Sequence, residues 1–491
     1  MKLDQLIDEL RPVSTRGKTG VEVKGVSADS RLIKPGDLFV AVAGKYRTGV
    51  DFISEAKDRG AVGVVLTEFY TALNSGLAQI RVTDPRRALA LLANSIYHHP
   101  AEGMKMIGIT GTNGKTTVAI LARHVFNDAG IPTGLLGTIY YGIGERQLPS
   151  DLTTPAPPRL QELLAEMKKA GTARVIMEVS SHAIIQQRLA GIEFATVVFT
   201  NLSPEHLDYH RTMEEYRAAK VGFLAGLSRG KAPADGKTAI INSDDPLRER
   251  IYKKLRTPVI TYGLTFGAQI RASGVVSERT GASFTVYWGG KAYPARIAMP
   301  GKHNVYNALA VIALGLSEGI GMEMILDTLR RSPGVRGRLE PVRTGRGFDL
   351  FIDYAHTPDG LENVLKTLRS ICRKRVIVVF GCGGDRDESK RPLMGAAAAR
   401  WADEVIVTSD NPRSESPQDI ITAIQRGLPR GFSRSRAVPD RRRAIEEACR
   451  LARPGDTVLI AGKGHEQQQI FRDRVIPFDD REVALEILGG M

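Results

Sequence analysis

The sequence predicts an α/β protein made of three consecutive blocks, and length, composition and periodicity support this. At 491 residues the chain exceeds the size of one hydrophobic core, which favours two to four domains. Hydrophobic residues make up 42% and charged residues 25%, as in ordinary soluble α/β proteins. Short apolar runs alternate with stretches of helical periodicity. Changes in composition and periodicity along the chain predict domains at residues 1–99, 100–335 and 336–491.

The first block is expected to form a small α/β domain. It opens with MKLDQLIDEL, in which charged and apolar residues alternate as in an amphipathic helix. Apolar runs at residues 38–42 and 62–67 predict strands, and residues 87–98 predict a helix.

The middle block opens with GITGTNGKTT, residues 108–117, which predicts a phosphate-binding loop between a strand at 106–110 and a helix. Glycines let backbone amides converge on phosphate oxygens, Lys115 supplies positive charge, and the Thr116 hydroxyl can ligate magnesium. Ile109 departs from the usual P-loop pattern, because a glycine is expected six residues before the lysine.

Further strands are predicted in both remaining blocks. Residues 257–300 lose the helical period and predict a β-rich annex of short segments. Four buried-strand runs separated by helices make the last block a doubly wound sheet, which binds ligands at the carboxyl ends of its strands. The strand candidates are 175–179, 196–200 and 239–242 in the middle block and 350–353, 376–380, 404–408 and 457–461 in the last.

Several side chains in the middle block could carry chemistry. Glu178 ends a predicted strand, where its carboxylate could hold magnesium. Alternatively, it is an acid at a strand end, followed by Ser180 as the cap of the next helix. His206 and His210 lie four apart, but the glutamate of a metalloprotease helix is missing, which favours one histidine contacting a metal or phosphate over zinc. Lys220 lies in a predicted helix, where the residues alone favour a surface lysine.

Polar residues of the last block favour an amino-acid site. Arg386, Arg413 and Glu466 each follow a strand, so they should converge on one crevice. Paired arginines suit a carboxylate, and Asp410 or Glu466 suits an ammonium group.

Asn304 and Asn307 share the start of a predicted helix in the middle block. Their amides could either contact adenine or cap that helix.

Composition excludes several classes of protein. The net charge of +14 is spread along the chain without aromatic interleaving, so no nucleic-acid partner is expected, and the densest basic stretch, 426–453, is interpreted as a solvated face. No apolar run is long enough to insert into a membrane. Cys372, Cys382 and Cys449 lack metal-ligand spacing and fit a reducing cytoplasm.

Eight motifs, in this order and spanning nearly the whole chain, resemble those of the Mur ligases of bacterial cell-wall synthesis. A single motif would be weak support, whereas eight in register are strong. They are GTNGKTT, EVSSH, LSPEHLDYH with Lys220, HNVYNALA, DYAHTPD, GCGGDRD, DNPR and GKGHE.

The resemblance implies a three-domain enzyme of peptidoglycan precursor synthesis, and hence of cell shape and division. Its N-terminal domain would bind a UDP-sugar, its central P-loop domain ATP and Mg²⁺, and its C-terminal Rossmann-like domain an amino acid. A substrate carboxylate would attack the γ-phosphate of ATP, and the amine would then displace phosphate from the acyl phosphate. The substrate would be a UDP-N-acetylmuramoyl dipeptide, and the enzyme a cytoplasmic monomer.

The resemblance also implies roles for individual residues. Lys115, Lys220 and His206 would be catalytic, and Lys220 would carry CO2 as a carbamate that holds magnesium together with Thr116, Glu178 and His206. The implied ATP-binding residues are Gly111, Thr112, Asn113, Gly114, Lys115, Thr116, Thr117, Asn304, Asn307, Arg338 and Asp353. The implied UDP-sugar residues are Ser30, Thr153, Thr154, Ser180, Gln186 and Arg188, and the implied amino-acid residues are Arg386, Asp410, Asn411, Pro412, Arg413, Gly462 and Glu466.

The sequence departs from the family pattern at residues 48–50, where Thr-Gly-Val replaces the Asp-Gly-His of many relatives, and at Leu152, where some carry asparagine. Uridine contacts from the loop 44–52 are therefore not predicted. Arg413 with Arg386 favours meso-diaminopimelate as the amino acid, because its distal end carries a carboxylate that L-lysine lacks. The alternatives are the same ligation with L-lysine, or a ligase resembling folylpolyglutamate synthetase.

Overall fold

The computed structural model describes residues 1–44, 47–70, 77–205, 207–227 and 236–490, without the side chains of residues 207 and 208. Three main β-sheets follow one another along the chain, each covered by helices. This arrangement confirms the α/β class. None of the helices in the described ranges is long and apolar enough to span a bilayer.

The first sheet has the strand order β1-β5-β4-β3-β2, with β1 antiparallel to its neighbour and the other strands parallel. Apolar residues of α1 and α3 pack on one face and those of α2 on the other. The predicted strands and helices of this block are confirmed. The elements are α1 (Leu3–Leu10), β1 (Ser14–Arg16), β2 (Gly25–Ser27), β3 (Asp37–Val40), α2 (Ile53–Asp58), β4 (Gly63–Leu66), β5 (Ala78–Arg81) and α3 (Pro85–Ile96), with 3-10 helices at Ser30–Leu32 and Gly49–Phe52.

The second sheet has the strand order β16-β15-β14-β13-β12-β11-β6-β10-β7-β8-β9. Its strands are β6 (Lys105–Thr110), β7 (Thr133–Leu136), β8 (Tyr140–Ile143), β9 (Arg146–Pro149), β10 (Arg174–Glu178), β11 (Thr196–Phe199), β12 (Thr238–Asn242), β13 (Val259–Gly263), β14 (Ile270–Glu278), β15 (Gly281–Trp288) and β16 (Lys291–Ile297). The helices are α4 (Lys115–Asp128), α5 (Pro157–Lys169), α6 (Ser181–Ile185), α7 (Leu207–His210), α8 (Met213–Gly226), α9 (Arg248–Tyr252), α10 (Lys302–Ser317) and α11 (Met322–Arg331).

The predicted β-rich annex is a continuation of this second sheet. β13 pairs in parallel with β12, and β14 to β16 extend the sheet to its edge. Its last three strands are nine, eight and seven residues long, so the expectation of short segments was wrong. Alternate residues such as Ala272, Phe284 and Val286 are buried in the same core as α10, and this burial makes the annex part of the central unit.

The third sheet has the order β17-β18-β22-β19-β20-β21, parallel except for the edge strand β17. Helices α12 to α14 pack on one face and α15 with α16 on the other, which confirms the doubly wound prediction. The elements are β17 (Glu340–Val342), β18 (Asp349–Asp353), α12 (Pro358–Ile371), β19 (Val376–Phe380), α13 (Lys390–Trp401), β20 (Glu404–Val407), α14 (Pro417–Gln425), β21 (Ser435–Ala437), α15 (Arg441–Leu451), β22 (Thr457–Ala461), the hairpin β23 (Gln468–Ile470) with β24 (Val475–Pro477), and α16 (Asp480–Gly490).

The interpretation of the basic stretch 426–453 as a solvated face is confirmed for its other arginines, which are exposed, and is wrong for Arg441. Its side chain is fully buried and makes two hydrogen bonds of 2.7 Å to the carboxylate of Asp480, which is also fully buried. It also donates to the carbonyl oxygens of Ser409 and Ala461, which lie just beyond β20 and at the end of β22. This ion pair therefore ties α15 and α16 to the carboxyl edge of the sheet, while the neighbouring Arg442 remains half exposed.

We predict that Asp480→Ala destabilises the C-terminal sheet by about 3–5 kcal/mol, because it leaves a buried guanidinium without its counter-ion. Urea unfolding in a Trp288→Phe background would measure this through Trp401, since the sequence has two tryptophans. Glu486→Ala is the matched control, because Glu486 also lies on α16 but pairs with Arg442 at the surface. The control should change stability by less than about 1 kcal/mol. Equal effects of the two variants would contradict a special role of the buried pair.

Candidate functional site

The predicted phosphate-binding loop joins β6 to α4, and two of its glycines are required by close approaches. Gly111 has φ +150°, and a Cβ there would collide with the Thr200 hydroxyl. Gly114 has φ +88°, and a Cβ there would collide with the Asn307 side chain. Only glycine satisfies both the backbone conformation and the space at these positions. The loop is therefore packed tightly between the strand ends and α10.

Ile109 departs from the usual P-loop pattern because β6 continues through this position. Its side chain is fully buried in the core, and its backbone pairs with β10. The turn starts two residues later, at Gly111. Lys115 Nζ donates to the carbonyl oxygens of Gly111 (2.9 Å) and Thr112 (2.8 Å), and burial lowers the pKa of its ammonium. The loop thus keeps its single lysine directly over its own backbone.

Glu178 lies beside this loop and accepts hydrogen bonds from two threonines. Its carboxylate receives the Thr116 hydroxyl (2.8 Å), the Thr138 amide (2.8 Å) and the Thr138 hydroxyl (3.0 Å). Thr116, Thr138 and Glu178 follow or end the adjacent strands β6, β7 and β10, so the parallel strands bring them together. The next residues also fit the helix-cap alternative, since the Ser180 hydroxyl accepts from the Ala183 amide at the start of α6.

These oxygens fit a magnesium ion, which takes one or two carboxylates and completes its shell with water and phosphate oxygens. Within the described ranges, no group of three His, Cys, Asp or Glu side chains is placed to hold a metal ion by itself. Glu178 with Thr116 is therefore the oxygen pair available beside the phosphate-binding loop. His206, the other metal ligand that the resemblance implies, lies outside the described residues.

Lys220 is buried, so the surface position that the residues alone favoured was wrong. Its side chain points from α8 to the phosphate-binding loop, where Nζ donates to Gly111 O (2.9 Å). Nζ also lies 4.8 Å from the centre of the Tyr216 ring. Burial, reinforced by the nearby charge of Lys115, holds the pKa of Lys220 well below its usual range. His210 is buried as well and lies 2.8 Å from the Ser181 hydroxyl.

A cavity of about 340 Å³ opens beside the loop, between the central and C-terminal sheets. Arg338 donates from Nη2 to the Thr116 hydroxyl (3.1 Å), and its buried Nε has no hydrogen-bond partner in the described part of the chain. A guanidinium with a donor to spare suits a phosphate oxygen. The cavity wall contains most of the predicted ATP residues, namely Asn113, Gly114, Thr116, Thr117, Asn304, Asn307, Arg338 and Asp353, whereas Gly111, Thr112 and Lys115 lie in the loop outside that wall.

The helix-cap alternative for the two asparagines of α10 was wrong, because the N-cap residue is Gly301 and both asparagines lie within the helix. Contact with adenine stays a prediction. Asn304 donates to the carbonyl oxygen of Pro300 (2.8 Å), and Asn307 donates to Asn304 (3.0 Å). The same wall contains His303 and Tyr306, which sequence reasoning missed. Tyr306 and Asn307 are three and four residues beyond His303, so all three lie on one face of the helix. This spacing is the signal that could have identified them.

Five of the predicted UDP-sugar residues lie together beyond Glu178. Thr154 donates to the Glu178 carbonyl oxygen (2.7 Å), and Arg188 donates to Gln186 (2.7 Å) and to the Thr154 carbonyl oxygen (2.6 Å). The Thr153 and Thr138 hydroxyl oxygens lie 3.1 Å apart, and Ser180 Oγ lies 3.3 Å from Thr154 Oγ1. Ser30 is not joined to them, because its hydroxyl donates to Glu55 within the N-terminal sheet (2.7 Å).

A second cavity, of about 730 Å³, lies at the carboxyl edge of the third sheet. Arg413 adopts φ +52° and donates from Nη1 to Gly384 O (2.8 Å). Burial, together with Arg386, lowers the pKa of the Arg413 guanidinium. The structure brings together all but Pro412 of the predicted amino-acid residues in this wall, namely Arg386, Asp410, Asn411, Arg413, Gly462 and Glu466.

Tyr354, His356 and Thr357, which follow β18, line both cavities, and we call them the shared wall. Burial lowers the pKa of His356 to about 4, so its imidazole is neutral at neutral pH. Sequence reasoning did not select these residues, although they lie in the DYAHTPD motif after a predicted strand. Glu205 was also missed. Its carboxylate lies 3.8 Å from His356 Nε2 and lines the second cavity.

Comparisons with known proteins identify the relatives of this chain. The model of the Mur ligase family, catalytic domain, matches residues 22–97, that of the Mur ligase middle domain matches 109–315, and that of the Mur ligase, glutamate ligase domain, matches 337–464. The UDP-N-acetylmuramoyl-L-alanyl-D-glutamate–2,6-diaminopimelate ligase of Syntrophomonas wolfei is 43% identical, covering 100% of this chain and 99% of that protein. The ligase of that name from Listeria monocytogenes is 42% identical, and both chains are covered completely.

Solved structures support the same assignment. The solved structure of a ligase of that name has a TM-score of 0.69 and 30% identity, covering 100% of this chain and 99% of its own. A MurF ligase from Thermotoga maritima in complex with ADP shares the fold with a TM-score of 0.63 at 16% identity, covering 95% and 97%. The expected three-domain architecture is thereby confirmed. With 43% identity to a curated relative along its full length, this chain belongs to the Mur ligase family.

Proposed function

We propose that the protein is an ATP-dependent ligase that adds meso-2,6-diaminopimelate to UDP-N-acetylmuramoyl-L-alanyl-D-glutamate in peptidoglycan precursor synthesis. The observation that carries this proposal is the shared wall between a cavity beside a phosphate-binding loop and a cavity with paired arginines and carboxylates. Relatives at 43% and 42% identity carry the name of this activity.

The first cavity is proposed to bind ATP. The Arg338 guanidinium lines it, and the glycine-rich loop with Lys115 lies beside it; these are the groups that phosphates require. Lys115 and Arg338 would contact the phosphates, and Glu178 with Thr116 would hold Mg²⁺. When bound, the metal would neutralise phosphate charge. ADP complexes of a MurF ligase and of a folylpolyglutamate synthase with the same fold support nucleotide binding.

The substrate carboxylate is proposed to enter between the loop and the cluster of Thr153, Thr154, Ser180, Gln186 and Arg188. Its oxygen would form a bond to the γ-phosphorus of ATP as the bond to ADP breaks. The amine of diaminopimelate would then attack the acyl carbon, and phosphate and a proton would leave. Because positioning and charge neutralisation dominate such transfers, cations rather than protein nucleophiles should control the rate.

Each domain is proposed to supply one substrate. Residues 1–99, with Ser30, would bind the UDP-sugar, residues 100–335 the ATP, and residues 336–491 the amino acid. We further propose that the protein is a monomer and that it is cytoplasmic. The three free cysteines fit a reducing compartment.

The second cavity is proposed to select diaminopimelate by charge. Arg413 and Arg386 would bind the distal carboxylate, and Asp410 with Glu466 would bind the distal ammonium. L-Lysine has no distal carboxylate, so its binding would leave the half-buried Arg413 and the exposed Arg386 without a counter-ion. The charges of this wall therefore favour diaminopimelate over the L-lysine alternative.

Lys220 is proposed to act as a carbamate. A neutral amine reacts with CO2, and burial, which lowers the pKa of Lys220, favours this neutral form. The product is an anion that can bind magnesium. The buried position of Lys220 beside Gly111, rather than at the surface, supports this role.

We predict that purified protein with ATP, Mg²⁺, bicarbonate and the UDP-muramoyl dipeptide releases phosphate with meso-diaminopimelate at least about 10²-fold more efficiently than with L-lysine. Phosphate release across a panel of amino acids measures this ratio. Faster ligation of L-lysine would contradict the proposed specificity. Glutamate-dependent turnover with a folate, and none with the dipeptide, would instead favour a folylpolyglutamate synthetase.

We predict that Arg413→Ala lowers kcat/KM for diaminopimelate by about 10²–10³-fold, because one guanidinium of the carboxylate clamp is lost. The KM for ATP should change little, since Arg413 does not line the nucleotide cavity. Arg430→Ala, which removes an exposed arginine from the same sheet unit, is the control and should leave both parameters unchanged. An equal loss for ATP and diaminopimelate would contradict the assignment.

We predict that Lys220→Ala loses most activity and that short-chain carboxylic acids partly restore it by occupying the vacated space. Lys220→Met is the matched control, because its side chain fills that space and should prevent the rescue. In wild-type protein at limiting CO2, activity should fall as pH decreases through the lowered pKa, because protonation removes the reactive amine. Full activity of the plain Lys220→Ala variant would contradict the carbamate.

A further inference from the structure

We propose that Lys463 is a positioning residue that orients the Glu466 carboxylate toward the distal ammonium of the amino-acid substrate. The proposal deepens the proposed function and rests on it, because it assumes that the second cavity selects a substrate with a distal ammonium. Lys463 does not line that cavity, and its effect would be exerted through Glu466.

Lys463 lies two residues beyond β22, and its side chain is completely buried. Its ammonium has three acceptors, which are Asn411 Oδ1 at 3.0 Å, Glu466 Oε2 at 3.0 Å and Gln468 O at 2.5 Å. These acceptors come from the loop after β20, the loop after β22 and strand β23. One ammonium therefore joins the three segments that form this side of the cavity.

The bond to Glu466 has a consequence for the other carboxylate oxygen. Oε2 is occupied twice, since it accepts from Lys463 and from Asn411 Nδ2 at 2.8 Å. Oε1 accepts no hydrogen bond from the part of the chain that the structure describes, and the side chain is 31% exposed in the cavity wall. The fixed oxygen is thus the protein-facing one, and the second oxygen is available to a ligand.

The chemistry of position 463 supports a role beyond packing. A buried ammonium is costly unless it is paired and all its protons are hydrogen-bonded. Lys463 meets both conditions, because its three donors match three acceptors and one acceptor is anionic. An apolar side chain could fill the same space at lower cost. What a lysine adds is a fixed charge beside Glu466.

The remaining charges of the cavity explain why this orientation matters for selection. Arg386 and Arg413 lie in the same wall and would attract an unrestrained carboxylate at position 466. An ion pair between Glu466 and one of these arginines would make the carboxylate unavailable to the substrate ammonium and the arginine unavailable to the substrate carboxylate. Lys463 holds Glu466 away from this alternative, as the clamp and the acceptor need to remain separate.

The test compares meso-diaminopimelate with 2-aminopimelate, which keeps the reacting amine and the distal carboxylate but lacks the distal ammonium. Lys463→Met should lower the ratio of kcat/KM for diaminopimelate to that for 2-aminopimelate at least tenfold. The KM for ATP should change less than twofold. Lys463→Gln, which keeps an amide donor but not the charge, should lower the same ratio.

A double-mutant cycle separates positioning from general loss of structure. In a Glu466→Gln background, Lys463→Met should change the ratio less than twofold further, since the carboxylate it positions is gone. Lys366→Met is the control, because it removes a half-exposed lysine and its ion pair with Glu362 on α12, and the ratio should not change.

Three outcomes would overturn the proposal. They are an equal loss for both amino acids in Lys463→Met, independent effects of Lys463 and Glu466 that multiply, and failure of both Lys463 variants to fold, which would assign the residue to stability. Failure of the proposed function would look different. In that case the wild-type protein itself would not use diaminopimelate.

Discussion

The candidate site depends on three side chains, a guanidinium, a hydroxyl and a carboxylate, that are joined in series by hydrogen bonds. Arg338 donates to the Thr116 hydroxyl, and that hydroxyl donates to Glu178. A hydroxyl has a single proton, so these directions are fixed by the charges at the two ends. Arg338 precedes β17 of the third sheet, whereas Thr116 lies in the first turn of α4 and Glu178 ends β10 of the central sheet. This series of hydrogen bonds therefore holds the carboxyl edges of the two sheets against each other.

A second contact reinforces the same junction, since Asn113 in the phosphate-binding loop donates to Asp359 at the start of α12. Arg338 also lies over the Tyr354 ring, 4.8 Å from its centre, and so connects the junction to the shared wall. Parallel strands present their carboxyl ends on one edge, and two such edges meeting face to face create a cleft between them. Both cavities lie in this cleft because of the topology of the sheets.

Features that depend on local pattern could be predicted from the sequence. The phosphate-binding loop follows from glycine spacing between a strand and a helix, and the doubly wound sheet follows from four apolar runs. Features that depend on contacts between distant segments could not. Arg441 has the same neighbours in sequence as exposed arginines, and only the position of Asp480, far along the chain, explains its burial.

The site shows the same division. Lys220 looks like a surface lysine by its helix, because the loop that covers it begins more than a hundred residues earlier. The annex could be recognised as β structure, but its pairing with β12 depends on a register that no local pattern specifies. The motif resemblance supplied several of these non-local relations, since motifs in register carry spatial information that spacing alone lacks.

The shared wall has a thermodynamic consequence. Tyr354, His356 and Thr357 belong to one short segment, so a ligand that displaces this segment in one cavity reshapes the other cavity as well. Linkage requires any such influence to be reciprocal: if a nucleotide strengthens amino-acid binding by some factor, the amino acid strengthens nucleotide binding by the same factor. Binding in one cavity and binding in the other would then be coupled through the four residues of backbone between β18 and α12.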